Sequence, residues 1–158
     1  MGYTHYFTFK PAPKGTAELV EKRYQAALRE CQRLVKAYNS TAEGDARLSG
    51  YSAHTKLGAY GGLDVNGKGD NAHEPFTLRE HYSQNVGSNF CKTAYKPYDT
   101  VVVACLALLK YRLGDLIEIG SDGSREDWAL GVLFAAIALR RRIGNPITQS
   151  DYQRHSIK

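Results

Sequence analysis

The sequence predicts an α+β fold of the ferredoxin-like, split βαβ kind: an antiparallel sheet with helices on one face and one extra C-terminal helix. Three observations carry this expectation. Residue periodicity runs strand, helix, strand, strand, helix, strand, helix along the chain. The two middle strands are joined by a glycine-rich turn, and the last two helices are apolar on nearly every side, as buried helices are. The 158 residues suit one α+β domain over 1–143, with a tail of little periodicity over 144–158.

"YTHYFTF" opens the fold, with Tyr3, His5, Phe7 and Phe9 on one face of a half-buried strand. "KPAPKG" breaks it. From Thr16, the expected N-cap, the apolar positions Leu19, Val20, Tyr24, Ala27, Leu28, Cys31, Leu34, Val35 and Tyr38 follow helical spacing and end near Asn39. Residues 40–62 are rich in Gly, Ser, Thr and Ala and read as a long loop, a candidate lid. "GLDV" and "PFTLRE" read as two strands joined through "NGKGDNAHE", and residues 81–88 as a further loop leading into "NFCKTA". Pro97 suits a first helical turn, and "YDTVVVACLALLKYRLG" then forms a buried helix that ends at Gly114. "DLIEIG" alternates as the fourth strand. "SDGSREDWALGVLFAAIALRRRIG" opens with a turn and a capping-box spacing, Ser124 to Asp127, before the final helix. Helices apolar on more than one face need cover, so a homodimer interface on one of the last two is expected.

A net charge of +5 favours anionic partners without choosing among them. Arg140, Arg141 and Arg142 account for much of the excess, and their place at a helix C-terminus is explained by the macrodipole. Three cysteines at long spacings, Cys31, Cys91 and Cys105, fit neither a disulfide framework nor a four-cysteine zinc site. The N-terminus lacks the order of a secretory signal, and the apolar runs are too short to span a bilayer, so no membrane partner is expected.

In the expected topology "GYTH", the 40–62 loop, "FCKTAYKPYD" and "SDGSREDW" meet at one rim, where two helices begin and their amide groups favour negative charge. Lys92 and Lys96 add formal charge; Thr93, Ser121 and Ser124 add hydroxyls; Tyr3, Tyr6, Tyr95, Tyr98 and Trp128 add flat surfaces, with His5 beside them. A phosphate flanked by a base or ribose suits this set, although Ser124 as a cap and Tyr98 and Trp128 as core residues account for part of it. Asp99 and Asp127 are explained by their helix starts, and Asp122 in "SDG" reads first as a turn former, with a ribose acceptor as the alternative.

Catalytic patterns are weak. The five histidines show no metal-ligand spacing, and only one His-x-Ser, His81 to Ser83, occurs, where two-histidine phosphodiesterases need two copies. Cys91 beside Lys92 is a candidate nucleophile, a buried strand-end thiol being the commoner arrangement. Neither cofactor nor metal is expected, and binding without turnover is favoured.

The blocks "GYTHYF", "NGKGDNAHEPF", "FCKTAYKPYD" and "SDGSREDW", in that order over most of residues 2–128, resemble a family of small proteins of tailed bacteriophages and prophages. This chain departs from the pattern in a longer segment before "GGLDV" and an extended tail. The resemblance implies expression in the cytoplasm of a bacterial host. With the basic, tyrosine-rich composition it leads to an expected function: a sponge that sequesters a phosphorylated nucleotide immune signal of cyclic ADP-ribose or cyclic dinucleotide type. An enzyme cleaving such a signal and an inhibitor of a host protein are the alternatives, with direct nucleic-acid binding weaker.

Overall fold

The computed structural model describes residues 2–49 and 61–148. The expected lid falls largely on residues outside this range, as does the tail beyond Thr148.

The molecule is mixed α and β, with four helices and a small antiparallel sheet. β1 (Thr4–Phe9) is the middle strand of three, between β4 (Gly87–Lys92) and β5 (Ile117–Ser121). Both pairings are antiparallel, with Thr4 opposite Lys92 and His5 opposite both Cys91 and Ser121. A split βαβ arrangement requires a parallel strand beside β1, and among the described residues β1 has none. The expected pairing with the strand of "DLIEIG" is present. The place on the other side belongs to residues 87–92, expected as a loop and a helix lead-in. Length explains the exchange: β4 matches β1 over six residue pairs, whereas β2 (Leu63–Val65) and β3 (Phe76–Leu78) are three residues each and pair only with one another.

α1 (Ala17–Thr41) buries the Val20, Tyr24, Ala27, Leu28, Cys31, Leu34 and Val35 stripe. Thr16 is its N-cap position, but its hydroxyl donates backward to the Pro13 carbonyl rather than capping. A four-residue helix, α2 (Tyr82–Asn85), occupies part of the expected 81–88 loop. α3 (Asp99–Leu113) has every residue from Val101 to Leu109 buried, because α1, α4 (Arg125–Leu139) and β5 all pack on it. Gly114 ends α3 with a positive φ of 56°, a conformation that glycine adopts without steric cost. Ser124 and Asp127 form the expected capping box: the Asp127 amide donates to Ser124 Oγ and the Ser124 amide to Asp127 Oδ2. At Gly131 a Cβ would lie 2.5 Å from the Val103 side chain, so this glycine lets α4 approach α3 closely.

Two cysteines meet where α1 crosses α3, each thiol donating to the other residue's carbonyl, and all three cysteines are free and buried. Glu30 of α1 is nearly buried and ties the helices together, accepting from Arg112 of α3 and from Arg141 just past α4. Beyond Gly144 the chain does not leave the body at once: Ile147 is buried, and its carbonyl accepts from Arg125. No helix among the described residues is long and apolar enough to cross a membrane.

Candidate functional site

Strand alternation decides what each site residue meets. His5, Phe7 and Phe9 point from β1 into the helical layer, and Tyr6 points out. At the start of β1 the inward side chains meet the first turns of α3 and α4, so the two helix beginnings do come side by side.

They meet on a buried polar network centred on His5. Its Nε2 lies 2.6 Å from Asp99 Oδ1 and its Nδ1 2.8 Å from Ser121 Oγ. An ionised Asp99 can only accept, so Nε2 carries the ring proton. Ser121 Oγ already accepts from the Gly123 amide at 2.8 Å and from Trp128 Nε1 at 3.0 Å. Ser121 Oγ is thus held by His5, Gly123 and Trp128 together. Thr93 Oγ1 adds a bond of 2.5 Å to Asp99 Oδ1. The order hydroxyl, imidazole, carboxylate is that of a Ser-His-Asp relay, but a nucleophilic oxygen needs a lone pair to attack with. Ser121 Oγ is enclosed by its three partners, and His5 is fully buried. The arrangement locks two helix starts to the central strand.

Of the other residues expected at this rim, Tyr3, Thr93, Tyr98, Ser124 and Trp128 are also buried. Tyr3 packs edge-on to His5, and a Cβ at Gly123 would strike its hydroxyl at 2.3 Å. Burial, with the carboxylates of Asp99 and Asp127 nearby, raises its pKa. Tyr98 donates to the Glu74 carbonyl at 2.6 Å, and burial raises its pKa too. These rings are walls, reached by a guest only if the network opens.

The exposed members lie around the outside. Tyr95 sits in a turn closed by the Lys96 amide on the Thr93 carbonyl, with positive φ at both Ala94 (51°) and Tyr95 (59°). Two consecutive non-glycine residues in that region are strained, at about 1 kcal/mol or more each, and such strain concentrates at functional sites. The turn lays the Tyr95 ring on Tyr3, with centroids 3.7 Å apart, while leaving it 66% exposed. Lys96 is partly exposed, as is Lys92, whose side chain runs beside Gly2. Asp122 is exposed and is more than a simple turn former: its Oδ2 accepts from the Thr4 amide and its Oδ1 from the Tyr6 hydroxyl, which fixes the Tyr6 ring.

The residue that sequence reasoning missed is Phe90. It stands directly opposite Tyr6 on the neighbouring strand, and the two are 65% and 47% exposed. Alternation in "GSNFCK" was the available signal, since it puts Phe90 opposite in sense to Cys91. The outer face of the sheet thus presents Tyr6, Phe90 and, two residues along, Lys92.

Cys91 points the other way. It is buried, its thiol donates to the Glu74 carbonyl, and burial followed by Glu74 and Asp99 pushes its pKa up to about 12. This is the commoner arrangement of a buried strand-end thiol rather than a nucleophile activated by Lys92, whose side chain leaves the strand on the opposite face. His81 lies near the far end of β1, bonded to Glu21, so it shares no site with Cys91 or His5. Among the described residues no group of three or more His, Cys, Asp or Glu could hold a metal ion. Comparison with protein families, curated proteins and solved structures finds no match to this chain, so its residues and geometry carry the functional reading.

Proposed function

We propose that the outer sheet face binds a phosphorylated nucleotide, with the base against Tyr6 and Phe90 and the phosphate at Lys92, and that the protein holds this ligand without converting it. One observation carries the reading. Two aromatic residues stand directly opposed on adjacent antiparallel strands, both largely exposed, where their apolar rings remain hydrated unless something flat covers them. Stacking on such rings is worth about 1–3 kcal/mol per base, and a lysine two residues along the same face offers a counter-charge. Asp122 holds the Tyr6 hydroxyl and is placed for ribose hydroxyls beside it. Tyr95 and Lys96 extend the surface toward the rim.

The resemblance to phage proteins gives such a binder a setting, an infected bacterium whose defence signals are cyclic nucleotides, and sequestration of one of them is the role we assign. The test is thermal unfolding with cyclic dinucleotides and cyclic ADP-ribose isomers. A ligand at 100 times its Kd stabilises the native state by about 2.7 kcal/mol. Heat denaturation of the loaded protein should return the ligand intact, whereas a cleaving enzyme returns product. Absence of any shift with a folded sample rejects the proposal.

A further inference from the structure

A second exposed surface lies on α4, in the helical layer rather than on the outer sheet face, and its chemistry is of another kind. Leu130, Leu133 and Ile137 are 65%, 54% and 67% exposed, although Trp128, Gly131, Val132, Ala135 and Leu139 bury the opposite side of the helix. Along the helix Glu126, Leu130, Leu133 and Ile137 stand at spacings of four, three and four, the seam of a helix that packs lengthwise against another, and Arg140 follows as the left-handed residue that caps its end. We propose that two copies of this chain pair through α4, antiparallel about a two-fold axis passing beside Leu133.

The stripe itself selects that partner. Read in one direction it runs acid, leucine, leucine, isoleucine, base. Laid against its own reverse it sets Glu126 by the partner copy's arginine, leucine by isoleucine, and leucine by leucine on the axis. Such self-complementarity is what an isologous contact requires. A parallel pairing would instead set carboxylate against carboxylate and guanidinium against guanidinium, so charge fixes the direction. Shape agrees as well. Beside the stripe runs a groove of about 480 Å³ lined by Val132, Leu133, Ala136 and Ile143 and, among its polar members, by Arg125 and Glu126. Its far wall is held by the Asn145 side-chain amide on the Arg125 carbonyl and by Arg125 on the Ile147 carbonyl. A leucine or isoleucine from the opposing helix fits this groove, and the two-fold axis supplies the same contact twice.

Light scattering after gel filtration across the micromolar range tests the pairing. The wild type should show twice the 17.6 kDa of a single chain and dissociate on dilution. Leu133→Asp sets two carboxylates face to face on the axis and should give a monomer with an unchanged melting profile by circular dichroism at low concentration, since the position is exposed. Glu126→Arg and Arg140→Glu should each weaken the dimer tenfold or more, and the double exchange should restore it, a rescue that only antiparallel self-pairing predicts. Leu133→Cys should cross-link to itself under mild oxidation, the native thiols being buried. A wild type that is monomeric throughout, a dimer indifferent to Leu133→Asp, or a monomer that binds another protein through α4 overturns the inference. Failure of nucleotide binding does not touch it.

Discussion

His5 and Tyr6 are neighbours on β1 and have opposite fates. His5 turns inward to a network in which every polar atom of its ring is engaged, and it never meets solvent. Tyr6 turns outward beside Phe90 and is about half exposed. One side of the strand is finished by the protein's own side chains, and the other is left incomplete. The difference separates two meanings of a polar and aromatic cluster: where the groups satisfy one another they hold the fold, and where they remain open they are available to a ligand.

The contrast is broken most severely from inside. Trp128→Ala removes a fully buried ring and the donor to Ser121, and should cost about 3–5 kcal/mol of stability, read as a lowered denaturant midpoint. His5→Ala leaves Asp99 and Ser121 short of a partner and should cost about 2–3 kcal/mol in the same measurement. From outside, the effect moves from stability to binding. Tyr6→Ala and Phe90→Ala should each weaken nucleotide binding by about 1–3 kcal/mol in calorimetry while changing stability by less than about 1 kcal/mol. If either outer change unfolded the protein, or His5→Ala spared stability and abolished binding, the division between the two sides would be wrong.

The smallest effect is one of pH, and it acts on the closed side alone. Burial works against ionisation of Glu30, but its bonds to Arg112 and Arg141 outweigh it and hold the carboxyl below its usual value. A depressed folded-state pKa contributes stability that is present above the ordinary carboxylate range and is lost as pH falls through the lowered value. Glu30→Gln should therefore flatten the acid limb of the stability profile, measured by urea unfolding between neutral pH and pH 3.

Much of this was readable from residue order. The Tyr3, His5, Phe7, Phe9 face, the α1 stripe, the buried α3 and the Ser124–Asp127 cap all follow from local periodicity and chain breaks, whereas the meeting of "GYTH", "FCKTAYKPYD" and "SDGSREDW" was expected from a topology that differs from the observed strand order. The strand at 87–92 did not stand out, because Gly87, Ser88 and Asn89 have low β-propensity and are drawn into the sheet by pairing with β1. Nor could the inward set be told from the outward one at the rim, where a tyrosine that walls and a tyrosine that stacks are spelled alike.

By itself, then, the order of residues determined the long helices, the first strand and the strand at 117–121, because these depend on side-chain period and backbone preference over a few residues. Tertiary structure alone decided that β4 rather than β3 lies beside β1, that Cys91 and the His5 network are sealed, and that Tyr6, Phe90 and the α4 stripe remain open. Those outcomes depend on which surfaces, distant in sequence, remove one another from water, and no local pattern encodes that choice.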